Sequence, residues 1–155
     1  MVNMLRKLSK QGKDLLKERE GLKLHAYKDG GGVWTIGYGH TGNVKSDDRI
    51  TERQASDLLS KDVVWAEDAV WSNYAPVNSL YQHEFDALVS FVYNVGEPRF
   101  KRSTLLRELN RGALLAVPQE MMRWNRVKGQ RSEGLVNRRL SEVNQWVNFN
   151  NRYTV

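Results

Sequence analysis

The chain is 155 residues long, with 24 Lys and Arg against 18 Asp and Glu, a formal charge of +6, and no cysteine. That length suits one compact domain or two closely joined lobes with enough core to fold unaided. The absence of thiols excludes disulfides and thiolate metal sites, and no run approaches the roughly 20 apolar residues of a membrane span.

The first segment is interrupted by charge every two or three residues, so no apolar signal segment is visible and synthesis in the cytoplasm is expected. Its leucines (Leu5, Leu8, Leu15, Leu16) follow helical spacing and predict a helix running to Arg19 or Glu20, with Gly21 as its stop. Glycines at 21, 30, 31, 32, 37, 39 and 42 then forbid a stable helix up to Asp48. Between them lie short β-favouring runs: His25-Ala26-Tyr27, Val33-Trp34-Thr35-Ile36 and, more weakly, Asn43-Val44-Lys45. Asp29-Gly30 is a hairpin signal.

Helical patterning resumes at the capping box Thr51-Glu52-Arg53-Gln54. The stripe Ala55, Leu58, Leu59, Val63, Ala66 and Val70 predicts one long helix ending before Pro76, with Asp62 marking a polar contact or the edge of the stripe. Ser79 to Gln82 reads as a second capping box. It leads a helix carrying Phe85, Leu88, Val89 and Val92 that stops near Gly96 and is the best candidate for the core of the larger lobe. Ser103 is placed to cap a helix ending at Gly112, Pro118 opens another reaching Trp124, and a last helix carries Leu135, Val136, Leu140, Val143 and Val147. The fold class is α+β: a glycine-rich β-containing lobe over about residues 18–60, and a helical lobe formed by about 61–155 with the N-terminal helix.

A carboxylate at a helix end (Glu20) is followed nine residues later by a second in a hairpin (Asp29), and six residues after that by a hydroxyl on the next strand (Thr35). If the strands fold back, all three face one cleft. Two carboxylates in differing surroundings are the minimum equipment for acid/base cleavage of an acetal. The negative end of the helix dipole, with Leu24 or Tyr27 packed alongside, favours a proton held on Glu20, while Asp29 in an open turn carries charge.

Glu20 to Asp29 reads E-G-L-x-L-x-A-Y-x-D, and the next segment reads G-x-x-T-I-G-Y-G-H-T. Together they resemble the signature of phage-type lysozymes, glycoside hydrolase family 24, with Asp29, Thr35 and His40 falling in place without insertion. A looser likeness extends through Phe85–Gly96, Phe100–Asn110, Trp124 and Gly134–Arg139, covering most of residues 12–147. The resemblance implies a lysozyme-like fold and an endolysin that cuts the β-1,4 bond between N-acetylmuramic acid and N-acetylglucosamine. Glu20 would be the proton donor, and Asp29 and Thr35 would activate a water. It also implies Tyr93 and Ser103 as residues lining the sugar cleft, against core packing and helix capping as their ordinary roles.

Gly30-Gly31-Gly32 departs from the family pattern, in which polar side chains are common, and places sugar contacts from that turn in doubt. The N-terminus lacks the apolar arrest segment of some relatives, which favours storage in the host cytoplasm and release through a holin pore. A monomer without cofactor or stable membrane insertion is expected.

His40 is expected to be structural, paired with an acidic residue of the long helix. His25 and His83 show no metal-ligand spacing with it, so no metal is expected. Trp34 is the one tryptophan favoured as a sugar platform, and Arg138 and Arg139 read as a solvated basic face, with reach of one of them into the cleft as the alternative. On charge alone a basic nucleic-acid-binding domain is favoured, but it leaves the Glu-Asp-Thr spacing unexplained and no nucleic-acid motif supports it. A lysozyme-like protein that binds peptidoglycan without cutting it is the other alternative, against which the intact Glu20, Asp29 and Thr35 argue.

Overall fold

The computed structural model describes residues 5–148. Two compact units divide the chain: Lys13–Trp65 forms one, and Met1–Gly12 with Ala66–Val155 forms the other. From Lys13 onward the first helix therefore belongs to the smaller unit.

In the smaller unit α1 (Lys10–Glu20) leads into an antiparallel hairpin of β1 (Lys23–Lys28) and β2 (Trp34–Gly37). Tyr27 pairs with Thr35 and Lys28 with Trp34, while an irregularity lies between Lys23 and Tyr27. α2 (Glu52–Asp62) packs against β2. Its first turn is the predicted capping box: Gln54 N–H donates to Thr51 Oγ1 at 3.1 Å, and Thr51 N–H donates to Gln54 Oε1 at 2.8 Å. Leu16, Ile36, Tyr38, Ala55, Leu59 and Val63 form the core of this unit.

The larger unit is built on α4 (Gln82–Val95), which packs against α8 (Glu133–Val147). Phe85, Leu88, Val89, Phe91 and Val92 of α4 are all fully buried. At about 2 kcal/mol per buried side chain, these five account for roughly 10 kcal/mol of transfer free energy. α5 (Glu97–Lys101), α6 (Thr104–Asn110) and α7 (Val117–Met122) follow, then a two-stranded ribbon of β3 (Arg126–Val127) and β4 (Gln130–Arg131).

Several local expectations need correction. Residues 5–9 are not helical, because their backbone groups bond to side chains elsewhere in the unit. Leu8 N–H donates to Glu67 Oε2 at 2.6 Å, Ser9 N–H donates to Asp86 Oδ1 at 3.0 Å, and the Arg6 carbonyl accepts from Trp71 Nε1 at 2.9 Å. Ser9 Oγ then accepts from Gly12 N–H at 3.0 Å, so the helix starts one residue after that cap. The long helix is two: α2 ends at Asp62, a single turn residue, Val63, intervenes, and α3 runs from Val64 to Asn73.

Asn43–Lys45 is not a strand: Asn43, at φ 57°, lies in a turn with Gly42, and Lys45 N–H donates to Asp48 Oδ2 at 2.8 Å across the next turn. The bridge to β1 comes instead from Arg49, opposite His25. The second cap lies at Tyr81 rather than Ser79, where Glu84 reaches back to accept from Tyr81 N–H at 2.8 Å. The β3–β4 ribbon and α5 are additional to the elements that the sequence pattern predicts. The ribbon turns on Lys128-Gly129, both at positive φ, the geometry of a tight two-residue hairpin.

Candidate active site

Glu20 is the last residue of α1, and Lys23 pairs with Gly37 as β1 begins. After β2, Ile36 and His40 exchange two backbone hydrogen bonds, of 2.9 and 2.8 Å, closing a tight turn over Gly37-Tyr38-Gly39. Gly39 takes φ +86°, a conformation that side chains disfavour, and a methyl group built there would lie 3.7 Å from Glu20 Oε2. The carboxylate of Glu20 therefore sits over bare backbone. Leu24 and Tyr27, the neighbours anticipated for it, are each 38% exposed.

The hairpin between β1 and β2 is organised by Asp29. Its N–H donates to the Val33 carbonyl at 2.9 Å, and its Oδ1 accepts from Gly31 N–H and Val33 N–H, each at 2.9 Å. Thr35 is 3% exposed, and its Oγ1 donates to the same Val33 carbonyl at 2.9 Å. Asp29 and Thr35 are thus fixed through one residue, Val33. Among the described residues no donor reaches Asp29 Oδ2, which leaves that oxygen available to solvent or a ligand. An acceptor oriented by two backbone amides and a nearby hydroxyl is chemically equipped to hold a water and take its proton.

His40 fixes the following loop. Nδ1 lies 2.7 Å from Asp62 Oδ2, and Nε2 lies 2.9 Å from the Gly42 carbonyl. The acidic partner from the helical segment is therefore Asp62, at the end of α2. Trp34 is half-buried, with Lys28 Nζ 5.3 Å from its ring centroid. His25 is exposed, whereas His83 Nδ1 lies 2.9 Å from the Gln145 carbonyl, in the other unit. Among the described residues no group of three His, Cys, Asp or Glu side chains could hold a metal, and no helix is long and apolar enough to cross a membrane.

In the larger unit Tyr93 is half-buried on α4. Ser103 is buried, and its hydroxyl donates to the Phe100 carbonyl at 2.7 Å while accepting from Leu106 N–H at 3.0 Å, which caps α6. The expected solvated face at Arg138 and Arg139 is overturned. Arg139 is 0% exposed, lies 2.8 Å from Glu142 Oε1, donates to Asn94 Oδ1 at 2.6 Å and covers the Phe91 ring at 5.0 Å. Arg138 Nε donates to Glu142 Oε2 at 3.2 Å, and Ser90 Oγ donates to the same oxygen at 2.6 Å. The spacing carried the signal: Glu142 stands four and three residues after the two arginines, on one face of a helix.

A family model described as Phage lysozyme matches residues 17–142. The endolysin of Bacillus phage PZA is 46% identical over 138 residues, covering 87% of this chain and 53% of that protein, so the chain spans about half the length of that relative. The endolysin of Acyrthosiphon pisum secondary endosymbiont phage 1 is 40% identical and is covered over 94% of its length. Among solved structures, the muramidase domain of SpmX from Asticaccaulis excentricus superposes with a TM-score of 0.84 at 36% identity, covering 92% of this chain and 98% of that one. With this fold, this hairpin and these relatives, the chain belongs to the phage lysozyme family.

Proposed function

We propose that the protein is a muramidase that hydrolyses the β-1,4 bond between N-acetylmuramic acid and N-acetylglucosamine in peptidoglycan. In this reading Glu20, protonated, donates to the leaving glycosidic oxygen. A water on the opposite face of the sugar attacks the anomeric carbon as Asp29 takes its proton, with Thr35 positioning that water. The product has inverted configuration, and the mechanism asks for carboxyl groups roughly 6.5–9.5 Å apart.

The observation that carries the reading is the Asp29–Val33–Thr35 arrangement, in which two backbone amides orient one carboxylate oxygen while the other is left open. The family and the relatives named above support the same chemistry. Tyr93 is proposed as a sugar contact. For Ser103 the same role is proposed only through the helix end it caps, since both of its bonds are structural.

As an endolysin the protein would wait in the host cytoplasm as a monomer, pass through a holin pore and lyse the cell from within. The formal charge of +6 would draw it to an anionic envelope, an attraction that salt weakens.

The test is to digest purified peptidoglycan and identify the sugar ends released. Reducing muramic acid ends are expected from the wild type and none from Glu20→Gln. Anhydro ends, equal activity of the two proteins, or DNA binding without any digestion would each overturn the reading.

A further inference from the structure

Asp29-Gly30 is the one Asp-Gly pair in the chain, and no Asn-Gly pair occurs. The pair is chemically distinctive. A glycine nitrogen has no side chain beside it to block its approach to the preceding carboxyl carbon, and its backbone turns freely to make that approach. Attack by this nitrogen on the carboxyl closes a cyclic imide, provided that the fold leaves both groups free to meet.

The β1–β2 hairpin prepares each party to that reaction. Gly31 and Val33 N–H donate to Asp29 Oδ1, each at 2.9 Å, and Gly32 N–H donates to the Asp29 carbonyl at 3.0 Å. Gly30 N–H, the nucleophile, is the one amide between Gly30 and Val33 that donates to no described group. The bond from Gly31 closes a small ring that contains both the Gly30 nitrogen and the Asp29 carboxyl carbon, which keeps the two close. The two donors on Oδ1 point at the oxygen on which charge collects as a nucleophile adds, the arrangement of an oxyanion hole. Oδ2, the oxygen that must leave, is held by no described donor. Residues 29–33 are all exposed, so water reaches the carboxyl.

We propose that Asp29 isomerises spontaneously, its carboxyl carbon captured by the nitrogen of Gly30. The N–Cγ bond forms and the Cγ–Oδ2 bond breaks. Oδ2 leaves as water, carrying the Gly30 amide proton and one proton from solvent, and nothing is oxidised or reduced. A second water then opens the imide. Opening at Cγ restores aspartate, whereas opening at the main-chain carbonyl yields isoaspartate, in which the chain runs through the side-chain carbon. The carboxyl group is then a different one, on a longer backbone, and is no longer the group that Gly31 and Val33 orient. That the change ends catalysis rests on the muramidase reading above; the isomerisation itself does not.

The test is to age the full chain near neutral pH at growth temperature and follow the tryptic peptide Asp29–Lys45 by mass spectrometry with electron-transfer fragmentation. A form lighter by one water should appear first, then isoaspartate at Asp29, faster than at any other aspartate or asparagine of the chain. The synthetic peptide Tyr27–Trp34 gives the rate without the fold, and the folded chain should at least match it. Gly30→Ala adds a carbon that meets nothing within 4 Å, at a φ outside the left-handed region. It should keep the initial turnover of peptidoglycan and slow isomerisation at least about threefold, through the backbone restriction that a Cβ imposes. Should that variant melt early, the wild-type rate against that of the peptide decides alone. Slower isomerisation in the folded chain than in the peptide, or an unchanged rate in folded Gly30→Ala, would overturn the inference. Isoaspartate accumulating at Asp29 while turnover stays constant would defeat the role of Asp29 in the muramidase reading and leave the isomerisation standing.

Discussion

Asp29 and Val33 are bonded to each other twice, Asp29 N–H to the Val33 carbonyl and Val33 N–H to Asp29 Oδ1, both at 2.9 Å. The side chain of Asp29 thus closes the loop that presents it, so its charge and its geometry can be separated by mutation. Asp29→Asn keeps an oxygen acceptor for Gly31 and Val33 and removes the charge. It should hold stability within about 0.5 kcal/mol while lowering turnover of peptidoglycan by at least about a hundredfold. Asp29→Ala removes both and should cost a further 1–2 kcal/mol or so by urea denaturation. Equal turnover of Asp29→Asn and wild type would remove the carboxylate from the chemistry.

Glu142 is fully buried between Arg138 and Arg139. Removing one partner of a buried ion pair leaves an uncompensated charge, so Glu142→Ala should lose about 3–5 kcal/mol. The lower thermal midpoint should be visible by circular dichroism. A change under about 1 kcal/mol would show that the two guanidinium groups find other partners or water.

His40 joins the loop after β2 to the end of α2 through Asp62. Single substitutions His40→Ala and Asp62→Ala should each destabilise by about 1–2 kcal/mol, and the double variant by clearly less than their sum. Additive losses in that double-mutant cycle would mean that the pair contributes no coupling. Because His40 touches no proposed reacting atom, turnover per folded molecule should change far less than for Glu20→Gln.

Tyr38 is buried, and its phenol is raised above the ordinary tyrosine value by desolvation, with Glu52 and Asp14 adding to the shift. Where the folded group holds its proton more tightly than the unfolded one, the fold binds more protons above the unfolded value. Stability is therefore flat below about pH 10 and falls as pH rises through and above it. Tyr38→Phe should remove this part of the alkaline loss, measured as thermal midpoint against pH. It should also delete one step, above the ordinary tyrosine range, from the phenolate absorbance titration. Unchanged curves would place the alkaline loss on other groups.

What was legible in the sequence follows from what is local. The Thr51 box, the stop before Gly96 and the Ser103 cap are each determined by residues within one turn of the helix end, and each lies where its side chains predicted. Glu20, Asp29 and Thr35 stand out by their spacing together with the resemblance to phage-type lysozymes, and the structure places all three in one compact unit. The departures have more than one cause. Residues 5–9 have helical leucine spacing, yet they bond to Glu67, Trp71 and Asp86, which lie far along the chain. Arg138 and Arg139 look like a solvated pair until Glu142, Ser90 and Asn94 surround them. Lys128-Gly129 is a turn carried by lysine at φ 49°, a conformation more often taken by glycine, asparagine or aspartate, so its residue types signal the turn only weakly.

The stitching of residues 5–9 has a practical consequence for anyone trimming the molecule. A version beginning at Lys10 would retain all of the helices and strands described, and would look complete by that measure. It would nonetheless strip the Glu67 and Asp86 carboxylates of the amide donors at Leu8 and Ser9 and leave Trp71 Nε1 without the Arg6 carbonyl. Two buried acids would then be short of donors, Asp86 keeping the bond from Gln82 Nε2. The smallest sound piece of this protein starts before its first helix, at the thread that fastens it.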